Sequence, residues 1–512
     1  MRKLWIPVAT IAITASLALL PRTVVGQKVS ITETSPVIAP DWKAAIRASR
    51  TRLTLQVVVN PPLRRGSPIH DPAWQSIYKL DASDARFAMW YPYPHLAVAE
   101  IAPPTEGGTS WDFSYMDPLV DDFFKSTAKQ PSVLTISTIP QWMFETQAPV
   151  AVPDDPDKAV WDYEQGAQLR DDSLEEVSRY FERVAQWYIQ GSFIDELGQR
   201  HPSGHHYRID YWEVLNEPEY EHGLSAEYYT RIYDAVVSKL RPLSPRLHFV
   251  GMSLAEPSEG KHFFEYFLDP SHHAAGIPLD AISYHFYALG HDGETPDAMA
   301  TSFFSQADHF NDTVQMIESV RTRLSPRTET QINEAGCIAA NDVAKTADSM
   351  NGKDIPASYW NLCGAVFAYL YGHLAAEGID VVGASQLLGF PGQYPSVSLL
   401  DWTHGLPNAR YRVLQLLLEE CHPGDLLVST QATNPRIYVQ AFLTSDGRKK
   451  ILLVNKSSED TSITVPGGNG GSEVHVDEAS KNLKIRRHRV ESDSITLHGF
   501  SVMTVTLDGR VR

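Results

Sequence analysis

The sequence predicts an α/β protein, a (β/α)8 TIM barrel with an accessory β-sandwich domain. Between residues 50 and 420, eight apolar strand-like runs alternate with helical segments, which is the order of a parallel barrel. After residue 420 the helical segments stop, and short alternating runs separated by turn residues follow. At 512 residues, the chain has room for a barrel of about 250 residues or more and a second domain.

The first 26 residues are predicted to be a secretory signal peptide rather than part of the fold. Arg2 and Lys3 precede a mostly apolar run from Trp5 to Leu20, and cleavage is expected near Gln27. This arrangement is typical of export signals. We therefore expect a secreted or periplasmic protein. No other apolar run in the sequence approaches the roughly 20 residues that span a bilayer, so no membrane anchor is expected.

The predicted barrel elements follow in chain order. Each strand run is rich in β-branched and aromatic residues and ends at Pro, Gly or a polar residue, which favours a buried strand followed by a loop. Apolar residues three and four positions apart indicate the helices, and Ser225 is a predicted N-cap. The predicted strands are Leu53–Asn60, Ala85–Tyr93, Ser132–Phe144, Asp210 to the break at Pro218, Leu247–Ala255, Asp280–Ala288, Glu329–Cys337 and Val381–Phe390. The predicted helices are Pro72–Leu80, the segment from Pro118, Leu174–Gln190, Ser225–Leu240, Lys261–Leu268, Ala298–Leu324, Ser358–Gly378 and Asn408–Glu420.

Residues 27–49 and 421–512 are assigned to the accessory domain. The first segment is predicted to be a lead-in strand that docks on the C-terminal domain. The second contains short strand patterns separated by turns such as Asp446-Gly447 and the GGNGG run from Gly467. This spacing is typical of a β-sandwich, and no cluster of catalytic residue types occurs in it.

Charge and cysteine content restrict the partners. The formal charge is −18, and removing residues 1–26 with their three basic side chains lowers it to −21. Such a surface repels polyanions, so nucleic acid is not an expected partner. Cys337, Cys363 and Cys421 form no C-x-x-C pair, which excludes a disulfide scaffold and a Cys-based zinc site. One disulfide remains an open alternative.

Two predicted strands carry an Asn-Glu pair: Asn216-Glu217 on strand four and Asn333-Glu334 on strand seven. These strands lie across the cavity of a closed barrel, and the C-terminal strand ends carry the active site of such folds. Two carboxyl groups about 5 to 5.5 Å apart are what retaining glycoside cleavage requires, one as acid and one as nucleophile. We expect their repulsion to raise the pKa of one of them.

His285 and Tyr287 lie two positions apart on strand six and therefore point to the same side. The Tyr287 hydroxyl is expected to donate to the nucleophilic carboxylate, and His285 to orient either acid. The alternatives to Glu217 as the acid are Glu213, Glu219 and Glu221. The aromatic candidates for stacking on a sugar are Tyr91, Trp142, Trp360 and Phe390, for which core packing is an equally good explanation.

Taken together, these residues resemble the retaining glycoside hydrolases of clan A, and most closely family 39, which includes β-xylosidases and α-L-iduronidases. The resemblance covers about residues 50 to 510 and rests on the NEP motif, the His-x-Tyr strand, the second Glu and the β-sandwich. It implies Glu217 as general acid/base, Glu334 as nucleophile, Asn216 as the ligand of the sugar 2-hydroxyl, and Tyr287 as support for Glu334.

The sequence departs from family 39 at two strands. The second strand of that family commonly reads Arg-Phe-His, whereas Arg86-Phe87-Ala88 keeps the Arg, a candidate for substrate binding, and lacks the His. The usual strand-eight Trp has no counterpart in ASQLLGF. Both departures leave the catalytic pair intact and leave the sugar undetermined.

The expected function is therefore a secreted, exo-acting retaining glycosidase that acts on an oligosaccharide or glycoside. One alternative is an endo-glycanase of the same clan, which an open groove beside the acidic loop Pro149–Asp172 would favour over a closed pocket. Another is a noncatalytic carbohydrate-binding barrel. Adjacent histidines such as His205-His206 and His272-His273 point apart, so no metal is expected. The sequence contains no nucleophile elbow, Walker loop or dinucleotide fingerprint, so no cofactor is expected.

Overall fold

The computed structural model describes residues 37–127, 130–146, 150–163, 166–343, 355–478 and 484–510. The chain divides into a short N-terminal unit, residues 1–35, and a second unit, residues 36–512, which holds all of the described residues. The predicted signal peptide lies outside the described residues. Within them, no helix has both the length and the apolar character needed to cross a membrane.

The described strands are β1 (Ile38–Ala48), β2 (Arg52–Val58), β3 (Ala85–Met89), β4 (Ser132–Ile136), β5 (Ser192–Ile194), β6 (Arg200–Pro202), β7 (Tyr211–Val214), β8 (His248–Leu254), β9 (Ala281–Leu289), β10 (Glu329–Ile338), β11 (Val381–Ala384), β12 (Leu426–Ala432), β13 (Ile437–Leu443), β14 (Arg448–Asn455), β15 (Thr461–Thr464), β16 (Ser472–Val476), β17 (Arg486–Arg489), β18 (Ser494–Leu497) and β19 (Val502–Arg510). The described α-helices are α1 (His70–Leu80), α2 (Pro94–Ala97), α3 (Met116–Ser126), α4 (Glu175–Ile189), α5 (Pro218–Glu221), α6 (Ala226–Leu240), α7 (Lys261–Phe267), α8 (Pro296–Leu324), α9 (Ala340–Val343), α10 (Ala357–Glu377) and α11 (Ala409–Glu420).

Eight parallel strands close into a barrel in the order β10–β11–β2–β3–β4–β7–β8–β9. The predicted (β/α)8 barrel is therefore confirmed. The side chains of β3, β4 and β11 are all buried, as expected where helices cover the outside and the barrel interior is filled. The predicted N-cap is present, since the Ser225 hydroxyl accepts from the backbone N–H of Tyr228.

Three barrel strands are shorter than the sequence predicts. β3 ends at Met89 rather than Tyr93, β4 at Ile136 rather than Phe144, and β11 at Ala384 rather than Phe390. Most of the apolar residues beyond these ends are buried in loops, and the aromatic residues Trp90, Tyr91, Trp142 and Phe390 are partly buried there. Their hydrophobicity therefore reflects burial in loops and not strand pairing. A proline, which has no N–H to donate, follows the first two strands within a few residues.

The accessory domain is an antiparallel seven-stranded sheet in the order β1–β12–β13–β14–β19–β16–β17, with a separate β15–β18 pair. The predicted accessory β domain is confirmed. β1, from the predicted lead-in segment, pairs with β12 and places the beginning of the described chain in this sheet. Its core is small and apolar, with Val439, Ile451, Leu453 and Val505 among its buried residues. Helix α10 packs against β14 and β19 as well as α8 and α11, which explains why it is apolar on all sides.

All three cysteines are buried free thiols. The side chains of Cys337 and Cys363 are hydrogen-bonded to each other, and burial raises the pKa of Cys337 well above its usual value. The disulfide that the sequence left open does not form.

Glu100 is a buried carboxyl group in the segment between α2 and α3. Its side chain is fully buried, and neither carboxyl oxygen has a well-formed hydrogen bond to any described residue. Burial, together with the nearby Glu196 carboxylate, raises the pKa of Glu100 to about 8. Because an exposed Glu in the unfolded chain has a pKa of about 4.3, folding favours the protonated form, and the free energy of unfolding falls as the pH rises from about 5 to 8.

We predict that Glu100→Gln removes this dependence, because the amide is uncharged at every pH. One pKa unit corresponds to about 1.4 kcal/mol, so the variant should match the parent within about 1 kcal/mol at pH 5 and exceed its free energy of unfolding by about 1–3 kcal/mol at pH 8. Urea unfolding at both pH values measures the difference. The exposed Glu106→Gln is the control, and parallel pH curves for Glu100→Gln and the parent would contradict the prediction.

Candidate active site

A cavity of about 510 Å3 opens at the C-terminal ends of the barrel strands. It is lined by residues of β2, β3, β9 and β10 and of the segments that follow β3, β7, β8 and β11, including Glu217, His285, Tyr287 and Glu334. In (β/α)8 barrels this face holds the active site. The structure therefore brings six of the sequence-predicted site residues to one place: Tyr91, Asn216, Glu217, His285, Tyr287 and Glu334.

Glu217 stands on a strained turn at the end of β7. Leu215 and Glu217 both have left-handed backbone conformations, with φ of 65° and 43°, which cost of order 1–3 kcal/mol each for residues other than glycine. Two interactions hold the turn. The Glu217 N–H donates to the Ser253 carbonyl at 2.9 Å, and Pro218 occupies the first position of α5. Such strain concentrates at functional sites.

Glu334 reaches the cavity from the middle of β10. The sequence predicts a strand that ends near this Glu, but β10 continues to Ile338. The pairing register of β10 shifts between Ile332 and Glu334 or Ala335 against both neighbouring strands. Such a bulge changes the direction in which the following side chains point, and it explains how Asn333 and Glu334 both reach the barrel interior.

The two acids meet across the barrel. One carboxyl oxygen of Glu217, one carboxyl oxygen of Glu334 and one ring nitrogen of His285 all lie within 4.8 Å of one another. This separation agrees with the close carboxyl pair of retaining glycoside hydrolases and is well below the 6.5–9.5 Å typical of inverting ones.

Three donors hold the Glu334 carboxylate. Gln56 Nε2 and Arg86 Nη1 each donate to Oε1 at 2.5 Å, and the Tyr287 hydroxyl donates to Oε2 at 2.7 Å. All of these donors stabilise the ionised form. The predicted contact between Tyr287 and Glu334 is therefore present. Burial, with the negative charge of Glu334, raises the pKa of Tyr287 well above its usual value, so its hydroxyl stays protonated and donates.

Arg86 does not contact the cavity, contrary to its prediction as a substrate-binding residue. Its guanidinium is fully buried and donates to Glu334, to Glu213 Oε2 at 2.6 Å and to Asn216 Oδ1 at 2.7 Å. The sequence pattern identified the correct residue but not its role, because nothing local shows that an inward Arg will lie beneath the cavity surface. It positions Glu334 and Asn216, both of which line the cavity.

Glu213 forms the base of this network. Four donors contact its buried carboxylate: Arg86, Thr135, Ser283 and Asn333. Burial opposes its ionisation, but Arg86 and the two hydroxyls outweigh it, so the pKa of Glu213 is lowered. Because every donor is a side chain of the barrel wall and the carboxylate has no exposure, Glu213 is not an alternative to Glu217 as the acid.

His285 connects the two acids, as the sequence predicts. Its Nδ1 lies 2.8 Å from Glu217 Oε1, its Nε2 lies 3.0 Å from Ser253 Oγ, and Glu334 Oε1 is 3.6 Å from the same nitrogen. Burial alone would lower the pKa of His285, but Glu334 and Glu217 raise it. The imidazole is thus oriented by the site and responds to both carboxylates.

A third carboxyl group, Glu221, lines the cavity. Its Oε1 accepts from Trp90 Nε1 at 2.8 Å and from Asn216 Nδ2 at 2.9 Å. Burial, and then the charge of Glu217, raises the pKa of Glu221 well above its usual value. A neutral Glu221 therefore fixes the amide of Asn216, whose other end is held by Arg86. The sequence placed Glu221 in a loop, whereas it ends the short helix α5.

Other aromatic predictions have mixed outcomes. Tyr91 lines the cavity. Trp142 does not, since its indole N–H donates to the Glu100 carbonyl and the Arg170 guanidinium lies over its ring. Trp360 packs on the core from α10, and neither it nor Phe390 is part of the cavity lining.

The sequence analysis missed several site residues. Gln56 is the one amide side chain inside the apolar run LTLQVVV, and that contrast could have identified it. Ser385 and Gln386 follow β11 in place of the aromatic residue expected there, and the Ser385 hydroxyl lies 2.5 Å from that of Tyr287. No local signal distinguishes Ser253 or Ser385 from ordinary serines.

Glu217, His285 and Glu334 are also the described residues whose ligand atoms lie close enough together to hold a metal ion. However, Arg86 and Gln56 already donate to one oxygen of Glu334 and Tyr287 to the other. A cation there would have to displace these donors and approach a buried guanidinium. The donor set fits a carboxylate that acts as a nucleophile better than one that coordinates a metal.

The fold has counterparts among solved glycoside hydrolases. One is a GH51 arabinofuranosidase from Xanthomonas axonopodis pv. citri, with a TM-score of 0.63 and 12% sequence identity over 93% of this chain and 100% of that one. Another is an α-L-arabinofuranosidase from Thermotoga maritima, with a TM-score of 0.61 and 11% identity over 92% and 100%. A GH30 endoxylanase from Clostridium papyrosolvens gives 0.54 and 13% over 92% and 100%.

At these identities the similarity establishes the fold class, a (β/α)8 barrel with an accessory β domain. Two of these structures are described as members of families 51 and 30, and none as a member of family 39, so the resemblance to family 39 is not established by them. No protein-family model matches the sequence, and no curated protein sequence matches it.

We predict that Arg86→Ala lowers the free energy of unfolding by about 3–5 kcal/mol at pH 7, because it leaves Glu213 and Glu334 buried without their counter-charge. The loss should be smaller at pH 4. Arg86 lowers the folded-state pKa of Glu213. The stabilisation that this ion pair gives the fold is therefore present above the usual Glu pKa and is lost as the pH falls through the folded-state pKa. Urea unfolding at both pH values measures it.

The control for this experiment is Arg323→Ala. Arg323 is exposed and lies 3.7 Å from Glu265, so its removal should cost less than about 1 kcal/mol. An Arg86→Ala loss as small as this, or one equally large at pH 4, would contradict the role assigned to the guanidinium.

Proposed function

We propose that the protein is a retaining glycoside hydrolase. The observation that carries this proposal is the approach of the Glu217 and Glu334 carboxyl groups within 4.8 Å at the C-terminal face of the barrel. A noncatalytic sugar-binding protein has no need for two acids at this distance, because their repulsion and the strained turn at Glu217 both cost stability.

The surroundings of the two acids favour distinct roles. Three donors stabilise the negative charge of Glu334, whose side chain is 6% exposed, which suits a nucleophile aimed at one atom. Glu217 is 18% exposed and is held by His285 alone among side-chain donors of the described chain. A more open carboxyl group that exchanges its proton with substrate and water suits a general acid/base.

The reaction follows in two displacements. Glu217 donates its proton to the glycosidic oxygen while a Glu334 oxygen attacks C1, so the C1–O bond breaks and a glycosyl-enzyme ester forms. Glu217 then takes a proton from water, the water oxygen bonds to C1, and the ester bond to Glu334 breaks. Asn216 has one amide N–H left after its contact with Glu221, and this donor is available for the sugar 2-hydroxyl.

Exo action is part of the proposal. On the side of β3 and β11 the cavity is walled by Trp90 and Tyr394, whose rings pack against Trp161 with centroid distances of 5.5 Å and 5.9 Å. Trp161 comes from the acidic loop 149–172, described at residues 150–163 and 166–172. An aromatic wall behind the sugar-binding end favours release of terminal residues over cleavage within a chain.

Export through the predicted signal peptide, family 39 membership and β-xylosidase-like specificity complete the proposal, and each rests on the sequence alone. The arabinofuranosidases among the structural neighbours make α-L-arabinofuranosides a second group of assay substrates beside β-xylosides.

We predict that the parent hydrolyses at least one nitrophenyl glycoside of a xylose and arabinose panel with net retention at C1. Glu334→Gln should reduce kcat by at least about 10⁴-fold, because the neutral amide cannot attack C1, while still binding the sugar in calorimetry. The exposed Glu259→Gln is the matched control and should leave kcat unchanged. Binding without any turnover by the parent would favour the noncatalytic alternative.

Exo action predicts that digestion of a linear oligosaccharide releases the terminal monosaccharide from the first time points. Trp161→Ala should weaken this pattern by opening the wall, so that longer products appear. Chromatography of a time course measures both. Early release of di- and trisaccharides by the parent would instead indicate the endo-acting alternative.

A further inference from the structure

The cavity extends to one side of the catalytic pair. β7 and β10 carry the two acids, and β8 and β9 lie between them on one side of the barrel, with β11, β2, β3 and β4 on the other. The aromatic wall belongs to the second side. The first side is lined by the loop after β8, the end of β9 and helix α8, none of which the proposed chemistry has used.

Helix α8 supplies one wall of this extension. It has 29 residues, which at 1.5 Å per residue is about 43 Å, far longer than the barrel strands. Gln306, His309, Phe310 and Thr313 line the cavity, and their spacing of three and four positions puts them on one helix face. Gln306 anchors this face, because its amide both donates to and accepts from the Leu289 backbone at the end of β9.

The loop after β8 contributes Glu256, Pro257 and Ser258 to the same cavity. Apolar groups from β9 and α8 complete the surface. The tilted rings of Phe286 and Phe310 pack at a centroid distance of 4.7 Å, and Leu289 is exposed. This part of the cavity therefore combines a small apolar surface with polar side chains at its edge, which is the composition of a ligand-binding pocket.

The polar side chains here are available to a ligand. The imidazole of His309, the hydroxyl of Ser258 and the carboxylate of Glu256 are exposed, and none of them has a side-chain hydrogen bond to another described residue. By contrast, the donors that surround the Glu334 carboxylate, namely Gln56, Arg86 and Tyr287, are all hydrogen-bonded to it. Unpaired polar groups beside an apolar surface match the alternation of hydroxyls and C–H faces on a pyranose or furanose ring.

We propose that this side of the cavity is a binding site for the leaving-group sugar, with His309, Ser258 and Glu256 contacting its hydroxyls. The inference rests on the proposed function and adds to it the substrate class, a di- or oligosaccharide with an uncharged sugar as leaving group. Glu217, which protonates the departing oxygen, acts on Glu256 through its charge and is therefore near this side. The Glu256 carboxylate disfavours a uronic acid here.

The test compares two substrates that differ only in the leaving group. Xylobiose, or arabinobiose if the parent prefers arabinosides, has a leaving sugar that reaches α8. The matching glycosyl fluoride has a one-atom leaving group that does not. The ratio of kcat/KM for the disaccharide to that for the fluoride should fall about tenfold in His309→Ala and several-fold in Ser258→Ala. The control is Ser305→Ala, an exposed position of α8 outside the cavity lining, which should leave the ratio unchanged.

An unchanged ratio in His309→Ala, with both substrates retained or both lost together, overturns the inference and leaves the proposed function intact. A second measurement, of binding instead of turnover, tests the leaving-group site separately from the proposed function. Calorimetry of xylotriose or arabinotriose with Glu334→Gln should show several-fold weaker binding when His309→Ala is added, and equal affinities overturn the subsite. Failure of the parent to hydrolyse either substrate overturns the proposed function and with it the leaving-group role.

Discussion

The buried guanidinium of Arg86 is the interaction on which the candidate site depends. It lies between two carboxylates, Glu213 and Glu334, inside a barrel whose interior excludes water. One positive charge between two negative ones leaves a net negative charge, and neutral donors satisfy the remaining oxygens. Those donors are Gln56, Thr135, Ser283, Tyr287 and Asn333. A buried charge pair is tolerated only when its hydrogen bonds are complete, so one requirement fixes these five side chains, which come from four strands.

This arrangement gives the two acids different surroundings on neighbouring parts of one cavity. Glu334 is held from below by a rigid set of donors, whereas Glu217 stands on a strained turn and faces the open space. The turn and the donors come from different strands, and the barrel brings them together because all strand ends share one face. The strained turn at Glu217 and the buried charges around Glu334 both lower the stability of the folded protein. This is consistent with a site arranged for reaction rather than for stability.

The cavity also has two unlike sides. Packed aromatic rings close one side, and α8 with the β8 loop leaves a more polar, open surface on the other. Because the catalytic pair lies between them, a substrate that fills both sides presents its scissile bond to the acids. The same asymmetry links the two proposals, exo action and a leaving-group site, since a cavity closed at one end would bind a glycan chain in one direction.

The sequence by itself determined the alternating units of the barrel and the accessory β domain, and it selected Glu217, Glu334, His285 and Tyr287 as candidates for one site, because each depends on a short-range pattern of burial or on adjacent residues. It overestimated β3 and β4, since apolar loop residues are indistinguishable from strand residues locally.

Only the tertiary structure decided which side chains meet. Gln56 and Glu334 are 278 residues apart and share a hydrogen bond, and no local pattern specifies such a contact. The same is true of Trp142, which packs away from the cavity, of Arg86, which lies beneath it, and of Glu221, whose neutral carboxyl orients Asn216. Closure of the barrel sets these distances, because strand register and the bulge in β10 fix the direction of every inward side chain.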